Sequence, residues 1–66
     1  MKTDMSGSHR KILYLLVSQP LTALEISKHL NMAVHGVRGR ISELRTFFNY
    51  TIHFDRTTQK YNVVFD

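Results

Sequence analysis

Cysteine and tryptophan are absent from this sequence of 66 residues, and proline occurs only once, at position 20. Without cysteine the chain can form neither a disulfide nor a thiolate metal site. A chain this short buries only about 60% of the surface that its unfolded form exposes, so its core must be thin. Helices and a hairpin are therefore expected to suffice for folding.

Long hydrophobic runs are also absent. The longest apolar run, residues 12–17, is far shorter than the roughly 20 residues of a membrane span. We expect no signal peptide ahead of it, and the lack of cysteine is compatible with a reducing compartment. We expect a soluble, cytoplasmic protein with no membrane partner.

Acidic residues are few: five Asp and Glu stand against nine Lys and Arg, for a formal net charge of +4. Such an excess favours a polyanionic partner, because Lys and Arg that bind phosphates release counterions. Many small proteins carry a similar charge without binding nucleic acid. The charge alone therefore decides nothing.

Signals of catalysis are weak. The histidines fall on four different segments, and none has the i, i+4 pairing or the Cys/His spacing of a metal site. The carboxylates are scattered, and no Gly-rich phosphate loop occurs. We expect no enzyme, no cofactor, no metal site and no small-molecule substrate.

Residues 34–48 show the clearest periodic pattern. Their apolar residues recur at spacings of three and four, which predicts one face of a helix; they are Val34, Val37, Ile41, Leu44 and Phe48. A second, polar and basic stripe lies about a quarter-turn away and consists of His35, Arg38, Ser42 and Arg45. Such a helix suits a DNA major groove, where Arg can bond guanine in bidentate fashion. A merely solvated surface explains the pattern equally well.

Two glycines interrupt this helix, at a cost of about 1 kcal/mol each relative to Ala. Gly39 projects beside the basic stripe, where a missing side chain lets the backbone approach DNA closely. The alternative is that the glycines have no function and are tolerated because neighbouring elements hold the helix. This alternative is as good for Gly39 and better for Gly36. Arg40 projects to the other flank, so it is expected either to lie along the protein surface or to pair with an acid such as Glu43 at i+3.

The segment before this helix predicts a tail and a first helix. Residues 1–7 are polar and aperiodic, so they are expected to be flexible, ahead of a domain spanning residues 8–66. The first helix is predicted over residues 9–19, with Ser6 or Ser8 as its cap and Pro20 as its stop.

The first helix is apolar nearly all round, which indicates burial on two sides. Ile12, Leu15 and Leu16 form the core face, and Leu13, Tyr14 and Val17 lie opposite. We expect the C-terminal strands to cover that opposite side. The alternative is a partner subunit in a homodimer.

A second helix is predicted over residues 23–30, because Thr22 and Glu25 form a capping-box pattern. Residues 31–33 link it to the third helix, and so short a linkage is typical of a helix-turn-helix. Asn31 suits the turn since it tolerates a left-handed backbone. Met32 is expected to be buried in the turn.

Two alternating segments, residues 50–55 and 60–65, predict a C-terminal β-hairpin. Asp55 and Lys60 are expected to face each other across a four-residue loop. The loop contains Arg56 and Thr57 and no acid. A merely soluble turn is the alternative to a loop that contacts phosphate.

Residues 22–45 resemble the helix-turn-helix of winged-helix DNA-binding domains. They are similar in particular to the amino-terminal domain of the biotin operon repressor and to small phage or plasmid regulators. Buried positions of that family coincide with Ile26, Leu30, Met32, Val37, Ile41 and Leu44. Two residues depart from the pattern: Ala33 replaces the usual Ser or Thr cap, and Asn31 stands where Gly is frequent. The resemblance implies an α+β fold with a three-helix core and a two-stranded β-hairpin wing.

The resemblance further implies sequence-specific binding of double-stranded DNA by a small regulator of transcription or recombination, associated with the nucleoid when bound. The residues expected to contact DNA are Thr22, His35, Arg38, Gly39, Ser42, Arg45, Arg56, Thr57 and Lys60. Winged helices also serve as protein docking and dimerisation modules, which usually lack a basic recognition stripe. A docking module without DNA binding is the alternative function.

Overall fold

The computed structural model describes residues 5–65, which form three helices and one three-stranded antiparallel sheet. The elements in chain order are α1 (Gly7–Ser18), β1 (Leu21–Thr22), α2 (Ala23–Leu30), α3 (Val34–Thr46), β2 (Thr51–Asp55) and β3 (Lys60–Val64). The predicted mixed α+β class is confirmed. Within residues 5–65, none of the helices has the length and apolar character needed to cross a bilayer.

α1 begins at Gly7, two residues before the predicted start. Ser6 is its N-cap: the Ser6 Oγ accepts from the His9 N–H at 3.3 Å, and the Ser6 N–H donates to the His9 Nδ1 at 3.1 Å. A histidine here replaces the Glu or Gln of the usual capping box. The flexible tail was predicted over residues 1–7, of which 1–4 lie outside the described residues.

α2 and α3 follow the predicted pattern closely. The Thr22 N–H donates to the Glu25 Oε1 at 2.9 Å, and the Glu25 N–H donates to the Thr22 Oγ1 at 3.0 Å. Asn31 ends α2 in the left-handed conformation, with φ 54° and ψ 47°. Ala33 precedes α3 and supplies no side-chain cap. The sharp turn between the two helices therefore depends on Asn31.

β1 is a third strand that the sequence did not predict. It pairs antiparallel with β3, with Leu21 opposite Tyr61 and Thr22 opposite Lys60, so β3 lies between β1 and β2. A two-residue segment is too short to show the alternation of apolar and polar residues that predicts a strand. The strand is evident only from its pairing with β3. This pairing holds the start of α2 against the hairpin.

The hairpin of β2 and β3 has the predicted register, with Asp55 opposite Lys60 and residues 56–59 between them. The Asp55 Oδ1 accepts from the backbone N–H of Thr57 at 2.8 Å and from that of Thr58 at 3.4 Å. An aspartate side chain that accepts hydrogen bonds from the backbone N–H groups two and three residues later commonly stabilises a turn. Gln59 completes the loop with φ 61°.

The core lies between the three helices and the inner face of the sheet. The most deeply buried side chains are Ile12, Leu16, Ile26, Val37, Ile41 and Leu44. Ile52 and Val63, opposite each other in the hairpin, close the core from the sheet side. Met32 is half-buried against this core.

The outer side of α1 is not covered as expected. Leu13 is half-buried, but Tyr14 is 75% exposed and Val17 is 55% exposed. The expectation that the C-terminal strands cover this side was wrong for these two residues, because the sheet packs into the same core that Ile12 and Leu16 fill. The homodimer stays a prediction.

Candidate nucleic-acid interface

One face of α3 is exposed. Val37, Ile41 and Leu44 are buried in the core. The opposite side of the same turns exposes His35, Arg38, Gly39 and Ser42. Side chains three and four positions apart share a helical face, so the exposed residues form a continuous stripe. The structure therefore places four of the predicted site residues on one accessible surface.

The three arginines of α3 have different surroundings. The Arg40 Nη1 donates to the Glu43 Oε1 at 3.3 Å, so of the two arrangements expected for Arg40 the i+3 pairing is the one that occurs. Arg45 also donates to a group of the protein, whereas Arg38 makes no such bond within residues 5–65. Arg38 is therefore the arginine of α3 whose guanidinium keeps all of its N–H donors available to a partner.

Arg45 links α3 to both strands of the hairpin. Its Nε and Nη2 donate to the Ile52 carbonyl oxygen at 3.0 and 2.6 Å. Its Cζ lies 5.8 Å from the centroid of the Tyr61 ring, a distance at which a cation is attracted to the ring face. This side chain braces the hairpin, and its expected contact with DNA stays a prediction.

Neither glycine of α3 is required by packing. A Cβ on Gly39 would meet no atom within 4 Å, and one on Gly36 would lie at an ordinary 3.7 Å from the Met32 Cε. Neither glycine has a positive φ. Gly39 is exposed and Gly36 half-buried, so close approach by a partner is an explanation that suits Gly39 alone.

A groove opens between the start of α2, the start of α3 and the hairpin. It is lined by Thr22, Ala23, Leu24, Val34, Arg38, Phe54, Gln59 and Tyr61. Thr22 and Arg38, which the sequence assigned to separate helices, thus share one groove. The pairing of β1 with β3 explains this, because it places Thr22 opposite Lys60 of the hairpin.

The hairpin tip adds further basic character beside the groove. Arg56 and Thr57 are exposed, and Lys60 is half-buried at the start of β3. The backbone N–H of Thr57 is already bonded to Asp55, so its hydroxyl is the remaining donor that a phosphate could use. The predicted tip residues are therefore accessible through their side chains.

Glu25 is the acid nearest to the start of α2. The hydrogen bond from the Thr22 N–H holds the pKa of the Glu25 carboxyl below its ordinary value of 4.5, and the charges of Lys60 and His29 act in the same direction. The carboxylate is therefore ionised near neutral pH, and these three groups stabilise its charge. The two hydrogen bonds between Thr22 and Glu25 hold Thr22 in position.

Leu24 and Phe54 are groove residues that sequence reasoning did not assign to a site. Leu24 is 53% exposed and Phe54 is 43% exposed. Phe54 lies on the same sheet face as Ile52 but beyond the core, with its ring centroid 4.9 Å from that of Tyr61. Alternation placed Phe54 on the inner face, and no local signal shows that the core ends before it.

Comparison with known proteins identifies no relative: no protein-family model, curated protein or solved structure matches the chain. Within residues 5–65, no three or more His, Asp or Glu side chains are grouped as a metal site would require. Function is therefore inferred from the chain's own residues.

Proposed function

We propose that this protein is a winged helix-turn-helix domain that binds double-stranded DNA with sequence specificity. The order of elements, with a short strand before α2 and a hairpin after α3, supports this assignment. So does the three-residue turn between α2 and α3, which is the linkage of a helix-turn-helix. In this proposal α3 is the recognition helix and the hairpin is the wing.

The observation on which the proposal chiefly depends is the position of Arg38. It is exposed near the start of α3 and lines a groove shared with Thr22 and the hairpin. The first turns of a recognition helix enter the major groove most deeply. There an arginine can donate to both O6 and N7 of a guanine.

The remaining basic and polar residues divide by position. His35 and Ser42 extend the exposed stripe of α3 and would contact base edges, while Gly39 would let the backbone approach. Thr22, Arg56, Thr57 and Lys60 flank the stripe and would contact phosphates, which position a protein without reading sequence. Affinity then comes mainly from the backbone contacts and specificity from α3.

The biological role that fits this mechanism is a small regulator of transcription or recombination of bacterial, phage or plasmid type, acting in the cytoplasm. A protein docking module is the second candidate function. It is favoured by the exposure of Tyr14 and Val17 on α1. A docking module would leave the basic stripe of α3 unused.

Binding to duplex DNA separates the two candidates. The whole chain would be titrated onto a labelled pool of mixed-sequence duplexes at several salt concentrations. The logarithm of the binding constant should fall linearly with the logarithm of the salt concentration, with a slope of about 0.9 per phosphate contact. Absence of binding to any duplex at low salt would overturn the proposal in favour of docking.

Selection from random duplexes would then give the preferred site. Enrichment of one sequence is expected if α3 reads base edges. A palindromic site would indicate two copies bound to one duplex, because the symmetry of the site mirrors that of the protein.

A further inference from the structure

The groove beside Arg38 is walled by apolar side chains. Leu24 of α2, Val34 of α3 and Phe54 of β2 line it together with Arg38. Leu24 and Phe54 are 53% and 43% exposed, and Val34 is half-buried. Three separate elements each contribute one member, and we call these three side chains the apolar patch.

The apolar patch is held in place before any partner arrives. Phe54 packs on Tyr61 with ring centroids 4.9 Å apart, and Tyr61 lies under the guanidinium of Arg45. Leu24 lies two residues after Thr22, whose backbone and side chain are both bonded to Glu25. A preformed surface gains affinity because little ordering is needed on binding.

We propose that the apolar patch recognises the C5-methyl group of a thymine next to the guanine that Arg38 contacts. In the major groove adenine, guanine and cytosine present only hydrogen-bonding groups, whereas thymine also presents a methyl group. Apolar side chains cannot satisfy the former and can bury the latter. The inference rests on the proposed DNA-binding function and adds the base class that the groove selects.

Charge favours DNA as the occupant. Arg38 lines the groove beside the apolar patch, and none of the described residues that line the groove is acidic. Cations at the edge of a small apolar surface complement phosphates and base acceptors. If a protein segment occupied the groove instead, the unaltered protein would bind no duplex.

The spacing along α3 fits neighbouring bases. Val34 and Arg38 are four residues apart, so their side chains are about 5–6 Å apart on one side of the helix. Successive bases of one strand are about 3.4 Å apart along the duplex axis. The apolar patch and Arg38 are therefore one or two base steps apart, which places the methyl group beside the guanine.

Replacement of thymine by uracil tests this inference, because it removes the methyl group and leaves base pairing intact. Each thymine of the selected duplex would be replaced singly, and the binding constant measured. One replacement should weaken binding about fourfold, the factor for one buried carbon group. The other replacements should have no effect.

Protein variants then locate the contact. Leu24→Ala and Phe54→Ala should bring the thymine-to-uracil affinity ratio close to one. Leu24 is the more exposed of the two, so its variant is expected to fold even if Phe54→Ala does not. Tyr14→Ala, which removes an exposed aromatic side chain from α1 outside the groove, is the matched control and should keep the ratio.

Three outcomes would overturn the inference. Equal affinity for all uracil duplexes, while Arg38→Ala still loses the preferred site, would remove the methyl contact and leave the proposed DNA binding intact. A ratio unchanged in both Leu24→Ala and Phe54→Ala would place methyl recognition elsewhere. No binding of the unaltered protein to any duplex would refute the proposed function, and the inference with it.

Discussion

The Nε2 atom of His9 lies 2.8 Å from the Oε1 of Glu43, which joins the first turn of α1 to the C-terminal half of α3. The Nδ1 atom faces the Ser6 N–H at 3.1 Å and the Ser6 Oγ at 2.7 Å, so Nδ1 accepts and Nε2 carries the proton donated to Glu43. The ring is buried and meets Phe48 edge-on at 5.2 Å. One histidine therefore both completes the capping box of α1 and holds this helix against α3.

Glu43→Ala should destabilise the fold by about 1–3 kcal/mol, because it leaves the buried Nε2–H of His9 without an acceptor. In a domain of this size each kcal/mol lowers the melting temperature by about 4–8 °C. Arg40→Ala is the matched control. It removes the 3.3 Å ion pair with the same carboxylate, between partly exposed side chains, together with a buried Nε that has no hydrogen-bond partner among residues 5–65, and should cost at most about 1 kcal/mol. Equal losses in thermal melts would mean that the bond to His9 contributes nothing.

Glu25→Gln should change the acid dependence of stability. The Thr22 N–H lowers the pKa of Glu25 in the folded protein, and Lys60 lowers it further. The folded state therefore binds fewer protons than the unfolded state in acid. The carboxylate stabilises the folded state fully above its ordinary pKa of 4.5, and this stabilisation is lost as the pH falls through the lower pKa of the folded state. Denaturant titrations should show a wild-type advantage near neutral pH that disappears in acid. An advantage independent of pH would contradict the role of the charged cap.

Gly39→Ala should affect folding and DNA binding in opposite directions. The added Cβ meets no atom within 4 Å, so the free protein should gain up to about 1 kcal/mol of stability. Binding to the selected duplex should weaken, because the methyl group would hold the helix backbone away from DNA.

Gly36→Ala is the matched control for this change. Its Cβ would lie 3.7 Å from the flexible end of Met32, so it should stabilise the protein similarly without altering affinity for DNA. Stability and affinity would be measured on the same preparations. If Gly39→Ala binds the duplex as tightly as the wild type, the backbone of α3 does not approach DNA closely.

Arg38→Ala and Arg56→Ala should have different effects on specificity. Arg38 is expected to contact a base edge, so its loss should cost about 1–3 kcal/mol on the selected site while nearly sparing a scrambled duplex. Arg56 lies at the hairpin tip and is expected to contact phosphate. Its loss should weaken both duplexes alike and reduce the salt slope by about one. Equal losses on both duplexes for Arg38→Ala would show that α3 touches only the DNA backbone.

Local sequence was sufficient for the features that depend on neighbouring residues. The capping box of Thr22 and Glu25, the left-handed Asn31 and the pairing of Asp55 with Lys60 all occur as predicted. In each, the interacting groups lie within a few positions of each other, so residue type and spacing determine the geometry. The buried stripe of α3 was predictable for the same reason, since helical periodicity places its members on one side.

Tertiary structure decided which side chains meet across longer separations. His9 and Glu43 are 34 positions apart, and Leu24, Arg38 and Phe54 come from three elements that meet only in the folded chain. The exposure of Tyr14 and Val17, where cover was expected, was decided in the same way, by which side of α1 the sheet packs against. The spacing of apolar residues predicts that one face of a helix is apolar, but it does not predict which element packs against that face. That depends on how helices and strands pack together, and the pairing of the two-residue strand β1 with β3 has no local signature from which it could be predicted.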